Sequence, residues 1–521
     1  MGVKNPANHT LNQNLASTET MKNQAVYFTF ILITFLQVSC SSTDPSVGSY
    51  DSIAIYNRPL YSTLAKKSMA YEGVERNPVI IIHGFLGAKL QNTKTGQLIW
   101  GEFTGMDLLK GFSNDQLKGI SIPMAIGKPL KDLKNDIRPV SILNSVDIRI
   151  LGMHYNMEAY DKMLEIIANS GYVPEDKPLP EGKNFFSLFV FYYDWRRDLP
   201  ENAARLHEFI MQKRAYMQEQ YKRCYGLPDY DVQFDIVAHS MGGLLSRYYL
   251  QYGNQDMPED GSLPVLGWQG SKYIDKLIIV ATPNAGYLDT FVELQKGLQL
   301  SPQAPVYPPG VIGTFPTYYQ MLPLVSTRSV IYKDDPTRTA IDIFDPEVWK
   351  KFQWGLADPK QDEALKIILP NAKTPEERHA IAVDHLEKCL KRAKQFTDAM
   401  KVEAAPPDDV ALYLFLGDAV PTRRTLEVDR NTGAFKVTAY EAGDGKVLAS
   451  SARMDDREGG EWKPFADSPI KWQVVIHIFA AHMGITKSQE FADNVSYYLL
   501  EMATKKQTEK RRRLAVPSKD K

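Results

Sequence analysis

Residues 234–243 read FDIVAHSMGG, and their reading decides the fold. Apolar residues run into a small residue, then His239, Ser240 and Met241-Gly242-Gly243. The run LLSRYYLQYG follows at once and has helical character. Strand, tight turn and helix with a serine at the apex is the layout of a nucleophile elbow. The turn lifts the hydroxyl clear of the backbone, and its crowding demands small neighbours. The usual pattern is Gly-x-Ser-x-Gly, and here Ala238 replaces the first glycine. The plainer alternative is a serine that caps a helix following a strand.

A nucleophilic serine needs an oxyanion hole, a base and an orienting acid. Upstream, PVIII (Pro78 to Ile82) reads as a buried strand and runs into His83-Gly84-Phe85-Leu86-Gly87. Glycines at such a turn leave backbone N–H groups available to a developing oxyanion. The main-chain N–H groups of Phe85 and of Met241, the residue after the serine, are the expected donors. The acid and base should follow the serine. His379 and His385 fall in an amphipathic helical stretch and are expected at its surface or cap. His477 lies inside the strand pattern WQVVIHIF. His482 comes after that strand and before the helical run SQEFADNVSYYLLEM, where such folds carry their base, and it is the preferred candidate. Two aspartates compete for the acid. Asp418 ends the strand-like ALYLFLGD, whereas Asp444 stands between two glycines, 38 residues before His482. The glycine flanks suit a loop that passes close to an imidazole, so Asp444 is preferred and Asp418 is its rival. The expected class is α/β: an α/β-hydrolase with a mostly parallel central sheet flanked by helices, and a large helical cap or lid insertion.

Several stretches together resemble the lecithin:cholesterol acyltransferase family, with its lysosomal phospholipase and phospholipid:diacylglycerol acyltransferase relatives. They are PVIIIHGFLGAKL, FYYDWRRD (Phe191 to Asp198), AHSMGG, VATPNAG (Val280 to Gly286), FPTYYQMLP (Phe315 to Pro323) and GDAVPTRR followed by GDGKV. The resemblance implies that Asp444 is the acid, that Tyr193-Asp194-Trp195-Arg196 packs beneath the active site, and that the chemistry is acyl transfer from a lipid ester. Lys446 stands where the family usually has threonine. Read on their own residues, Trp195 and Arg196 suggest a packing wall and a buried ion pair.

Composition agrees. With 61 basic and 62 acidic residues the net charge is −1, which offers no electrostatic basis for a nucleic-acid partner. Apolar residues make up 44% of the chain, enough for a full core. The expected partners are a lipid or ester substrate and a membrane surface, with the oligomeric state open. No cofactor is expected, and no metal: the histidine and cysteine spacing gives no ligand set.

The N-terminal region adds a location. Residues 1–20 are polar, and Met21 opens a second start, which would leave them untranslated. Ala25 to Leu36 is an apolar run of 12, the length of a signal h-region and too short for a spanning helix. It ends in LQVSC, so 21–40 reads as a signal peptide with a lipoprotein-type cysteine at Cys40. Gln37 departs from the aliphatic residue usual there, and a simply cleaved signal is the alternative. The expected location is a bacterial membrane-anchored lipoprotein on the periplasmic or cell-surface side. Residues 41–75 read as a tether, 76–286 as the first part of the hydrolase core, 287–408 as the cap, 409–504 as the second part of the core and 505–521 as a basic, unstructured tail. Residues 91–150 read as irregular. Within the cap, Thr374-Pro375-Glu376-Glu377 marks a helix start, and Leu386, Cys389, Leu390, Ala393 and Phe396 form its apolar stripe.

The reading is serine-based acyl transfer from a lipid ester through an acyl-enzyme, as an O-acyltransferase, phospholipase or lipase. Its rivals are a soluble carboxylesterase for small esters and a non-catalytic surface binding protein on a hydrolase scaffold.

Overall fold

Val79–Ile82 is uniformly apolar, with no alternation, and all four side chains are buried. A strand of that kind belongs inside a parallel sheet covered on both faces. The computed structural model, which describes residues 63–104, 111–143, 145–150, 153–158, 160–300 and 304–515, places it there. Six parallel strands form the central sheet: β1 (Val79–Ile82), β2 (Leu188–Phe191), β3 (Phe234–His239), β4 (Ile274–Val280), β5 (Ala411–Gly417) and β6 (Val474–Ile478). Their spatial order is β6-β5-β4-β3-β1-β2.

Alternate side chains feed two cores. Ile80, Ile82, Phe189, Ile236, Leu277 and Leu414 join one face with the helices Leu199–Tyr225 and Met241–Tyr252. Val79, Ile81, Val237, Ile278, Tyr413 and Phe415 join the other with Asp161–Asn169 and Gln489–Leu500. The helix Leu199–Tyr225 buries Leu206, Ile210, Met217 and Tyr221 along one stripe and ends at Gly226 in the left-handed conformation.

The segment 287–408 is mainly helical. Its longest helix, Pro375–Met400, starts at Thr374, whose side chain accepts from Glu377 N–H, and buries Leu386, Cys389, Leu390, Ala393 and Phe396. The segment also contributes strand: Val330–Tyr332 pairs in parallel with Val420–Val428, which pairs antiparallel with Phe435–Gly443. The cap therefore shares a small sheet with an excursion that leaves the end of β5.

Four expectations are corrected. Residues 91–150 are not irregular; they carry strands Leu98–Trp100, Glu102–Thr104, Ile137–Ile142 and Ser145–Ile150 in two small sheets. Leu98–Trp100 and Glu102–Thr104 are too short to show a period, whereas Ser145–Ile150 alternates polar and apolar residues as a strand does. Residues Tyr155 to Ser170 read from the sequence as a helix, but the helix begins only at Asp161, after the strand Met153–Glu158. The tether ends earlier than read, because Thr63–Ala70 is helical. Ser68 Oγ donates to Glu501 Oε1 at 2.6 Å, and the Arg76 guanidinium donates to the carbonyls of Ser68, Tyr71 and Ser170. The basic tail is a docked helix over Lys505–Ala515. Thr504 caps it and donates to Asp275 Oδ1 at 2.7 Å, while Lys506 pairs with Asp409 and Arg511 with Glu75. Cys40 and the signal region lie outside the described residues. Among the described residues no helix is long and apolar enough to cross a membrane.

Candidate active site

The turn after β3 is strained at one residue. Ser240 has φ 54° and ψ −126°, a region that side chains other than hydrogen seldom enter. Two hydrogen bonds from β4 and the turn beyond it fix the distortion: Ser240 N–H donates to Val280 O at 2.7 Å, and Thr282 Oγ1 donates to Ser240 O at 2.8 Å. The following glycines are there for space. A Cβ on Gly242 would lie 2.4 Å from His83 O, and one on Gly243 would lie 2.0 Å from Thr282 Oγ1. The helix Met241–Tyr252 can start this close to β1 and β4 only because both residues lack a side chain.

His482 is on the loop after β6. Its Nε2 is 3.0 Å from Ser240 Oγ, and its Nδ1 is 2.8 Å from Asp444 Oδ2. His482 N–H also donates to Asp444 O at 2.9 Å, so the two loops are joined through backbone as well as side chains. Asp444 is 2% exposed. Its other oxygen, Oδ1, accepts from Lys446 N–H at 2.9 Å and Val447 N–H at 2.7 Å. Burial raises the pKa of this carboxyl, but the His482 ring and the two backbone donors outweigh it and hold the group below the usual range. Asp444 is thus an acceptor with both oxygens engaged, and the His482 tautomer that faces it carries hydrogen on Nδ1. That leaves Nε2 with a lone pair directed at the serine hydroxyl.

The loop after β1 lies against the serine. A Cβ on Gly84 would stand 2.7 Å from Ser240 Cβ, so its backbone passes as close as a side-chain-free residue permits. The Phe85 ring is wedged edge-on between Trp195 and Tyr318, with centroids 5.0 and 4.9 Å away. Leu86 takes a positive φ of 65°, and its carbonyl accepts from Trp100 Nε1. Met241, the other expected donor, is the first residue of the elbow helix and fully buried.

Residues 134–354 match the lecithin:cholesterol acyltransferase family model, a stretch that contains the Tyr193–Arg196 motif and Ser240 and ends before Asp444 and His482. The chain has the α/β-hydrolase fold, and its central region is similar to the lecithin:cholesterol acyltransferase family. Among solved structures, the Tle4-Tli4 complex matches at 14% identity and a TM-score of 0.50, over 83% of this chain and 98% of that one, which supports the fold. A gene product from Listeria innocua matches at 12% identity with a TM-score of 0.28, over 82% and 96% of the two chains. Lipase 1 from Pelosinus fermentans matches at 10% identity with a TM-score of 0.31, over 82% and 99%. No curated protein matches the chain.

The Tyr193–Arg196 motif is a foundation for the loop after β1. Tyr193 stacks on His83 at 4.3 Å between centroids, donates from its N–H to His83 Nε2 and from its hydroxyl to His83 O. His83 Nδ1 then donates to Gly84 O at 2.7 Å, and burial lowers the ring's pKa to about 4. Asp194 and Arg196 form the buried two-point ion pair expected of them, and Arg196 also donates to Ile120 O. A second tie comes from the cap side. Lys446, close to Asp444, reaches Asp289 Oδ2 at 3.0 Å and Glu293 Oε1 at 3.4 Å, and Tyr318 donates to Glu293 Oε2.

The remaining histidines and the rival acid are placed apart. Asp418 Oδ2 is 2.7 Å from His477 Nδ1, a second and partly exposed pair. His385 corrects its expectation: it is fully buried, with Nε2 3.0 Å from Thr314 O, because the helix that carries it packs against the core on that side. His379 stays at the partly exposed face. Sequence reasoning missed Tyr160, whose hydroxyl lies between Gly84 N and His239 Nδ1; no motif surrounds it, and only the fold brings it there. Among the described residues no cluster of three or more His, Cys, Asp or Glu side chains could hold a metal. Cys224 and Cys389 are free.

Proposed function

We propose that the protein transfers acyl groups from a lipid ester through a covalent intermediate on Ser240. His482 Nε2 takes the hydroxyl proton as Ser240 Oγ attacks the ester carbonyl. Asp444 holds the imidazole and stabilises the imidazolium that results without taking its proton. The N–H groups of Phe85 and Met241 receive the oxyanion, each such donor supplying about 3 kcal/mol of transition-state stabilisation. Collapse expels the alcohol, which takes the proton back from His482, and leaves acyl-Ser240. Water or a second alcohol then attacks with His482 as base again, giving hydrolysis or O-acyl transfer.

The observation that carries this reading is the unbroken line from Ser240 Oγ through His482 to Asp444, at 3.0 and 2.8 Å, ending on a serine held in a strained turn. A scaffold kept only for binding has no need of that strain. The family match over residues 134–354 favours a lipid ester over a small soluble one. Lipid attachment at Cys40 would hold the enzyme at a bacterial membrane beside such a substrate.

The test is product identity. The purified protein is incubated with acyl-labelled phospholipid, with and without a sterol or diacylglycerol, beside Ser240→Ala. Label in free fatty acid or in the added alcohol, absent with Ser240→Ala, is the expected result. Preference for short soluble esters with no response to a lipid interface would favour a carboxylesterase instead.

A further inference from the structure

The hydrogen bonds behind Ser240 can run in only one direction. Gly84 N–H has to donate, so the Tyr160 oxygen, 2.7 Å away, accepts. The one hydroxyl proton of Tyr160 is then directed at His239 Nδ1, at 3.0 Å. His239 Nδ1 must therefore carry a lone pair, which puts the ring proton on Nε2. That nitrogen faces the carbonyl oxygen of His482 at 3.4 Å. His482 N–H continues the line to Asp444 O at 2.9 Å. Tyr160 and His239 are 3% and 1% exposed, so water does not compete for these groups. Burial, followed by the neighbouring His482, lowers the His239 pKa to about 3, in keeping with a neutral ring.

We propose that Tyr160 and His239 are positioning residues that tie the oxyanion loop to the backbone of the base. Gly84 precedes the oxyanion donor Phe85, and the carbonyl that His239 holds belongs to His482 itself. The relay thus fixes both partners of Ser240 relative to one another, although neither Tyr160 nor His239 touches the reacting atoms. Displacements of about 1 Å in such geometry cost up to about a hundredfold in rate. The proposal rests on the acyl-transfer reading of Ser240.

Three arms test it. In Tyr160→Phe, kcat on an ester substrate falls by about ten- to a hundredfold while KM stays within about twofold, because the donors are misplaced and the substrate surface is untouched. His239→Gln, which keeps an N–H near His482 O and loses the Tyr160 acceptor, falls by a similar factor. Since both residues act in one line, the double variant is no slower than the worse single, whereas independent structural damage would multiply the two losses. The third arm needs no turnover: nitrogen-15 NMR of histidine-labelled protein should show His239 unprotonated at Nδ1 and protonated at Nε2. Wild-type kcat in Tyr160→Phe, multiplied losses in the double variant, or a proton on His239 Nδ1 would each overturn the relay. Full turnover by Ser240→Ala would instead sink the acyl-transfer reading, and the NMR arm would still decide the relay.

Discussion

Asp418 Oδ2 lies 2.7 Å from Nδ1 of His477, while Asp444 Oδ2 lies 2.8 Å from Nδ1 of His482. Two carboxylate–imidazole pairs thus form, one partly exposed and one buried. Only the buried pair continues to a serine. Asp418→Asn should therefore keep most of the turnover, whereas Asp444→Asn should lose on the order of 10⁴ in kcat through the wrong histidine tautomer. Steady-state kinetics on one ester decides this, and the reverse ranking would refute the assignment of the acid.

The strain at Ser240 predicts a trade of stability against activity. At φ 54° and ψ −126° a glycine is at ease and a serine is not. Ser240→Gly should lose turnover yet gain about 1 kcal/mol in unfolding free energy, the relieved strain exceeding the added chain entropy of the unfolded state. Denaturant titration measures it. A clear loss of stability would mean that the elbow is relaxed.

Breaking the Asp194–Arg196 pair should leave a buried, unpaired carboxylate. Arg196→Met is expected to cost about 3–5 kcal/mol at neutral pH. In the wild type, burial raises the Asp194 pKa but Arg196 more than offsets it, so the folded pKa is depressed. Its contribution is present above the ordinary carboxylate pKa and is lost only as pH falls through the depressed value. In the variant the folded pKa rises instead, and its penalty fades as pH falls. The stability gap between the two proteins should narrow from pH 8 towards about pH 4. Melting curves across that range test the sign, and a gap that widens on acidification would contradict it.

The C-terminal helix makes a further difference measurable. Ending the chain after Ala503 removes the Thr504–Asp275 bond and the Lys506–Asp409 and Arg511–Glu75 pairs. The exposed pairs are each worth at most about 1 kcal/mol, so the expected loss is about 1–3 kcal/mol with turnover retained. An unchanged melting temperature would show that the helix is not docked.

Much of this was legible in the chain because local chemistry and fold agree there. The elbow needs small residues around Ser240, the apolar run Val79–Ile82 has no reading but a buried strand, and glycines bracket Asp444. What stayed hidden depends on distant pairing. Among the strands of residues 91–150, Leu98–Trp100 and Glu102–Thr104 are too short for a period to mark them, and the alternation of Ser145–Ile150 is the one local signal there. The C-terminal helix is too basic for an apolar stripe to show, and it is held by Asp275, Asp409 and Glu75 from elsewhere in the chain. His385 lies one turn before Cys389, beside the apolar stripe, and the Thr314 carbonyl that takes its ring N–H comes from elsewhere in the chain. Tyr160 belongs to no motif, and its place beside His239 exists only once the sheet has assembled.

The central claim is that Ser240 Oγ is a nucleophile activated by His482, and reaction with a fluorophosphonate probe tests it most directly. The account predicts stoichiometric labelling mapped to Ser240, abolished in Ser240→Ala and slowed by orders of magnitude in His482→Ala, with both variants folded. Well-folded wild-type protein that leaves Ser240 unlabelled, or labels at the same rate without His482, would contradict it.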